Sequence, residues 1–173
     1  LIDNLPCKVD NTLLSQNALD KEIFLNSKES EMPEDLKLGE ITLGFWGSFW
    51  GNRLDWELID YLSIRNPDWS FNLIGDKEYL PINPMHLNSN IQFLGAKRAE
   101  ELPSYAKYFD ICLIPYRQDQ HFARFANPIK TLEYLSSFKT VIAPENKSLK
   151  SYPGVFLYKN KEEAEKLIKE LHK

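Results

Sequence analysis

Apolar residues fall into short runs along the chain, separated by polar turns and by stretches with helical spacing. Order begins at Glu40. EITLGFW (40–46) reads as a strand with a glycine bend, GSFWGNR (47–53) as a loop, and LDWELIDYLSIR (54–65) as a helix. In that helix Leu54, Leu58, Tyr61 and Leu62 share one face. SFNLIG (70–75) is a second strand; a polar, proline-bearing loop (76–90) leads to a third, IQFLG (91–95). RAEELPSYAKY (98–108) predicts a helix, DICLIPY (110–116) a fourth strand, and PIKTLEYLSSF (128–138) a helix. TVIAP (140–144) and VFLYK (155–159) complete the strands, and KEEAEKLIKELHK (161–173) is a closing helix.

Strands that alternate with helices imply βαβ units, and continuous apolar runs imply burial on both faces. The predicted fold is therefore α/β: a Rossmann-like open, mostly parallel sheet with helices on both faces, over residues 40–173. Residues 1–39 are mixed: TLLSQNALD holds a short apolar run, and the stretch from Lys21 onward is polar, charged and nearly free of periodicity. They read as an incoming interdomain linker; the alternative is a short helix at 21–25 that docks on the domain.

Composition narrows the function classes. With 43% hydrophobic and 27% charged residues the 173-residue chain resembles an ordinary globular domain. A formal charge of −4 supplies no global attraction to nucleic acid, so any anion site must be local. Of the two cysteines, Cys7 and Cys112, the second sits in the apolar run ICLIP, which predicts a buried free thiol in a reducing compartment. No apolar run approaches the ~20 residues of a membrane span. The chain starts without Met, so a larger protein is expected, with an upstream domain of about 150–200 residues.

Ligands of open α/β sheets bind beyond the carboxyl ends of the strands, which selects the loops 46–53, 75–90, 95–99 and 116–127. Gly44, Gly47 and Gly51 do not make a G-x-G-x-x-G fingerprint, and no P-loop is present. Gly47 is either a tight turn needing positive φ or a place where backbone approaches a ligand, with Arg53 nearby. After the third strand, Gly95 turns the chain, and Lys97 and Arg98 are either a solvated charge pair or contacts to a base or phosphate. FANPIKTLEYL (125–135) predicts a helix with Asn127 as N-cap and Pro128 at the first position. Its first backbone N–H groups, at Ile129 and Lys130, would then form part of an anion site. On the helical wheel Pro128, Ile129, Leu132 and Leu135 take the core side, and Lys130 and Glu133 lie opposite as neighbours. A lysine in the first turn opposes the helix dipole by ~0.3–1 kcal/mol. Two readings stand: a surface pair with Glu133, or a cation placed to meet a phosphate. His86, His121 and His172 show no metal-ligand spacing, and His121 reads as an exposed loop residue. A G-x-S-x-G elbow, a D-x-D pair and an acid cluster after the first strand are all absent.

FLGAKRAEELPSYAKYFDICLIPY followed by NPIKTLEYLSSFKTVIAP resembles the C-terminal, donor-binding half of GT-B fold glycosyltransferases of the retaining family four, or group 1. GFWGSFWGNRLDWELIDYL is similar to the opening of that half, and SQNALDKEIF to the linker that enters it; the resemblance covers about residues 13–173. It implies a nucleotide-sugar substrate, UDP- or GDP-linked, with no metal or other cofactor. It further implies ribose binding by Glu133, diphosphate binding by Pro128, Ile129 and Lys130, base contact by the loop from Gly95 to Lys97, and a phosphate-proximal loop at Gly47. The chain departs from the pattern in two ways. Phe125 stands where a sugar-contacting glutamate is common, and the usual basic pair is reduced to Arg53. Lys130 is a candidate for the missing charge, and Arg124 or Asn127 for part of the sugar contact. The function implied is transfer of a sugar to a cell-surface glycan or lipid-linked acceptor held by an N-terminal domain outside this chain. The expected setting is the cytoplasm, at the inner face of the cell membrane with peripheral association, and no nucleic-acid partner. The departures leave a second function open: a degenerate half acting as a nucleotide-binding or scaffolding module.

Overall fold

The computed structural model describes residues 17–25, 31–51, 53–79, 88–119 and 126–172. Six strands form one sheet: β1 Thr42–Trp46, β2 Ser70–Ile74, β3 Ile91–Gly95, β4 Ile111–Leu113, β5 Thr140–Pro144 and β6 Val155–Tyr158. Their order is β3-β2-β1-β4-β5-β6, and every pairing is parallel. This is the Rossmann order. The chain builds outward from β1 to β3, then returns to place β4 on the other side of β1. The crevice above β1 and β4 is the topological switch point at which such sheets bind ligands.

Helices cover both faces. α2 (Trp56–Arg65) and α5 (Lys161–Leu171) bury Leu58, Ile59, Leu62, Ala164 and Ile168 against Leu43, Phe45, Phe71 and Leu73. On the other face lie α1 (Lys21–Leu25), α3 (Leu102–Tyr108) and α4 (Ile129–Ser136), which contribute Phe24, Tyr105, Ala106 and Tyr134. The central strands β1 and β2 are buried throughout, whereas the edge strands β3 and β6 are only partly so. Burial on both faces explains why the central strands are mostly apolar.

Several local boundaries differ from the sequence reading. α2 begins at Trp56, because the Asp55 carboxylate accepts from Leu58 N at 3.0 Å and Leu54 is drawn into a bridge with Tyr116. α3 begins at Leu102; the preceding residues turn on the Glu101 carboxylate, which takes Arg98 N at 2.9 Å. Gly44 makes no bend. β1 pairs with β2 without interruption through it, and a Cβ there would collide with the Phe109 ring. Cys112 is a buried free thiol, whose pKa burial pushes up. Cys7, His86, His121, Arg124 and Phe125 lie outside the described residues.

Residues 31–39 lie along the sheet. Lys37 O accepts from Ser70 Oγ at 2.7 Å and from Asn72 Nδ2 at 3.0 Å, and Leu36 is buried. On the other face of the sheet, Glu165 gathers Lys169 (2.7 Å), Arg65 (2.9 Å) and Asn66 (3.3 Å). Burial alone would raise its pKa; those three hydrogen bonds outweigh it and hold the carboxyl at about 2. A carboxylate held low stabilises the fold above its unfolded value, and that contribution is lost as pH falls from about 4.5 toward 2. Both cationic partners are about half exposed, which screens the effect. Glu165→Gln is therefore expected to cost ~1–2 kcal/mol at pH 7 by urea unfolding, and much less at pH 2.

Candidate functional site

The site is assembled from the carboxyl ends of β1 and β4 and the start of α4. β1 ends in Trp46 and passes directly into Gly47, which adopts φ +148°, a conformation that favours glycine. The absence of a side chain matters as much: a Cβ on Gly47 would overlap the Lys130 ammonium. Lys130 thus reaches over the edge of the sheet rather than out to solvent. Its Nζ lies 4.3 Å from the centre of the Phe45 ring and 5.2 Å from that of Tyr116.

This placement overturns the helical-wheel expectation. Lys130, Thr131 and Tyr134 form the buried side of α4, whereas Ile129 is exposed. The helix starts one residue later than its sequence suggests, because Pro128 takes the cap position with extended ψ (132°) and its carbonyl accepts from Thr131 N at 3.0 Å. Asn127 is therefore not the cap. Its amide donates to the Tyr152 hydroxyl at 3.1 Å, and its carbonyl accepts from Asn17 at 2.6 Å. Among the described residues no side chain caps α4, so there the amides of Ile129 and Lys130 meet no side-chain acceptor.

Lys130 is only 8% exposed. Desolvation pushes its pKa down to about 7, Glu133 opposes that shift, and the Arg53 charge adds to it. The surface pair with Glu133 does not form. The Glu133 carboxylate instead accepts from the Trp46 indole N–H at 2.6 Å, through Oε2. A lysine and a glutamate one turn apart are thus held at the same edge, each short of a counter-ion. Arg53 stacks over Trp50 at 5.4 Å at the near side of this crevice.

The third-strand loop is placed differently. Gly95 has φ +75° and its carbonyl accepts from Gly75 N at 2.9 Å. Lys97 is paired with Asp35 at 2.6 Å, and the Asp35 carboxylate also takes the Tyr105 hydroxyl at 2.7 Å. The hydrogen bond that Lys97 donates to Asp35 raises the lysine's pKa. Gly47, Lys130 and Glu133 are therefore brought together with Arg53 beside them. Gly95 and Lys97 lie at the same edge but two strands away, and Asn127 turns toward Tyr152. Trp46, Tyr116 and Asp35 were missed by sequence reasoning. Alternation along β1 places Trp46 on the face of α4, but nothing in the sequence reveals its indole partner. Among the described residues no cluster of His, Cys, Asp or Glu could hold a metal ion, and no helix is long and apolar enough to cross a membrane.

No protein-family profile matches the chain. It is 25% identical over 147 residues to TuaH of Bacillus subtilis (strain 168), a glycosyltransferase assigned to teichuronic acid biosynthesis. That alignment covers 83% of this chain and 36% of TuaH, so the chain spans little more than a third of its relative. Among solved structures it superposes on Anabaena HepE, determined with UDP and glucose, with a TM-score of 0.61 at 15% identity. That match covers 89% of this chain and 45% of HepE. Sucrose-phosphate synthase from Thermosynechococcus elongatus gives 0.57 at 15% identity, over 77% of this chain and 36% of that one. The fold is that of the Rossmann-like C-terminal half of GT-B glycosyltransferases.

Proposed function

We propose that the chain is the donor-binding half of a retaining, metal-independent glycosyltransferase that moves a sugar from a UDP- or GDP-sugar to a cell-surface glycan. One observation carries the reading: at the switch point, a buried lysine and a half-buried glutamate stand one turn apart without pairing. The lysine, the uncapped amides of Ile129 and Lys130, and the Gly47 turn suit a diphosphate. Among the described residues one side-chain donor, the Trp46 indole, reaches the Glu133 carboxylate, whose four acceptor positions leave room for a vicinal ribose diol. The base would extend toward the turn at Gly95, with Lys97 held back by Asp35.

In the transfer step the bond between the anomeric carbon and the diphosphate oxygen breaks, and the nucleoside diphosphate leaves with the electron pair. Charge then grows on the diphosphate, where Lys130, Arg53 and the helix amides stabilise it, in the role a divalent ion serves elsewhere. The acceptor and any proton-transfer group belong to an N-terminal domain outside this chain. The reaction would take place in the cytoplasm, with the whole protein peripherally attached to the inner face of the membrane.

Calorimetric titration with UDP, GDP and their glucose, galactose or mannose derivatives tests the proposal. Saturable binding is expected, weakened by about 10–100-fold in Glu133→Ala. No saturable binding by any of them, with the N-terminal domain restored, would overturn it. Binding without transfer in that restored protein would favour a non-catalytic nucleotide-binding module.

A further inference from the structure

We infer that Trp46 is the positioning residue of this site: its indole N–H sets the orientation in which Glu133 receives the ribose. The inference rests on the reading of Glu133 given above and goes one step behind it. Glu133 is half-buried on the second turn of α4 and finds no cation, since Lys130 turns away over the sheet edge. A carboxylate in that position rotates about its last bond unless something holds it. Among the described residues, the one side-chain hydrogen bond it makes is the short, charge-assisted contact from Trp46 Nε1, 2.6 Å to Oε2. That contact fixes the plane of the carboxylate and leaves Oε1 open for hydroxyl groups.

Trp46 is well suited to the task because it cannot itself move. It is 4% exposed and enclosed by three rings. Tyr134 meets it edge-on at 4.2 Å, Phe24 of α1 stacks at 6.3 Å and 15°, and Phe109 lies at 6.3 Å. Its backbone N–H donates to the Tyr134 hydroxyl at 2.9 Å, so two successive residues of α4 grip one residue of β1. Packing alone would be met by phenylalanine; the indole N–H has no purpose in this cage except its bond to Glu133. Because Phe24 supplies one wall, the incoming segment also shares in holding the ribose ligand.

The discriminating readout is the preference for a ribose over a ribose without its hydroxyls. UDP and 2′,3′-dideoxy-UDP are titrated against the chain, Glu133→Ala, Trp46→Phe and Trp46→benzothienylalanine; GDP and its dideoxy analogue form a parallel series. Benzothienylalanine keeps the shape of tryptophan and removes only the N–H, which protects the test if Trp46→Phe folds poorly. The unaltered chain is expected to favour UDP by about 10-fold or more, as two hydrogen bonds to a charged acceptor imply. Glu133→Ala should abolish the preference. Both Trp46 variants should cut it to about 2–3-fold, with dideoxy affinity within about twofold of the unaltered chain. If Glu133→Ala loses the preference and both Trp46 variants keep it, the positioning role is wrong and the ribose role of Glu133 stands. An equal loss for both ligands in the Trp46 variants would show a packing role and overturn the inference. Absence of any preference in the unaltered chain, or its survival in Glu133→Ala, would overturn the ribose reading and the inference with it.

Discussion

Lys130→Met is expected to make the chain more stable and its site worse. The lysine amine lies under a near-complete cover of protein, which drives its pKa from 10.5 to about 7. Between those values the unfolded chain binds a proton that the folded chain refuses, so stability rises with pH from about 7 to 10.5. At and below neutrality the whole cost of burying the ammonium is felt. Methionine matches the length of the stem and carries no charge, so the variant should gain ~2–4 kcal/mol at pH 7. It should also lose the slope of stability against pH in that window. Urea unfolding at pH 7 and pH 10 checks both expectations. Binding should move the other way, with affinity for a nucleotide-sugar down by about 10–100-fold. In the unaltered chain that affinity should fall as pH rises above about 7, because the diphosphate needs the protonated lysine. A nucleotide-sugar suits this measurement, since its diphosphate diester does not titrate near neutrality. A variant that is neither more stable nor weaker in binding would remove the phosphate role of Lys130. A stabilised variant that binds normally would remove it equally, leaving an internal lysine that merely burdens the fold.

Gly44→Ala is the second large expectation, and it acts on the fold alone. Gly44 is central: β1 pairs with β2 on one side and β4 on the other at this residue. The Phe109 ring, 1% exposed, fills the space where a Cβ would project. Neither strand can shift without disturbing the sheet, so the ring must leave its place, at a cost of ~3 kcal/mol or more. Thermal unfolding should show a midpoint lower by about 6–12 °C. Gly44→Ala combined with Phe109→Ala should cost at least ~1 kcal/mol less than the two changes added, because the second removes the ring that the first displaces. A Gly44→Ala chain within ~0.5 kcal/mol of the unaltered one would show that the ring moves freely.

Both expectations mark the boundary between what the chain shows on paper and what it shows folded. All six strands and the four helices of the domain were legible, because short, mostly apolar runs and 3.6-residue spacing are properties of neighbours in sequence. TVIAP and IQFLG were placed to the residue. Alternation of strand and helix then implied the parallel sheet and with it the binding edge. Lys130 was singled out from its place in a helix start, and Glu133 as a ribose ligand only through the family resemblance.

Tertiary structure decided which way those residues face. A wheel drawn for α4 turns Lys130 outward, since apolar residues are assumed to seek the core. The fold turns it inward, because Gly47 leaves a space at the edge of β1 and Phe45 and Tyr116 offer aromatic faces to an ammonium. The link from Trp46 to Glu133 spans 87 residues, and the one from Lys97 to Asp35 spans 62. Local pattern carries no record of such contacts. The sequence determined the elements and the edge at which a ligand belongs; packing across the switch point decided which charges are left open there, because desolvation and partner choice depend on what the folded chain brings near.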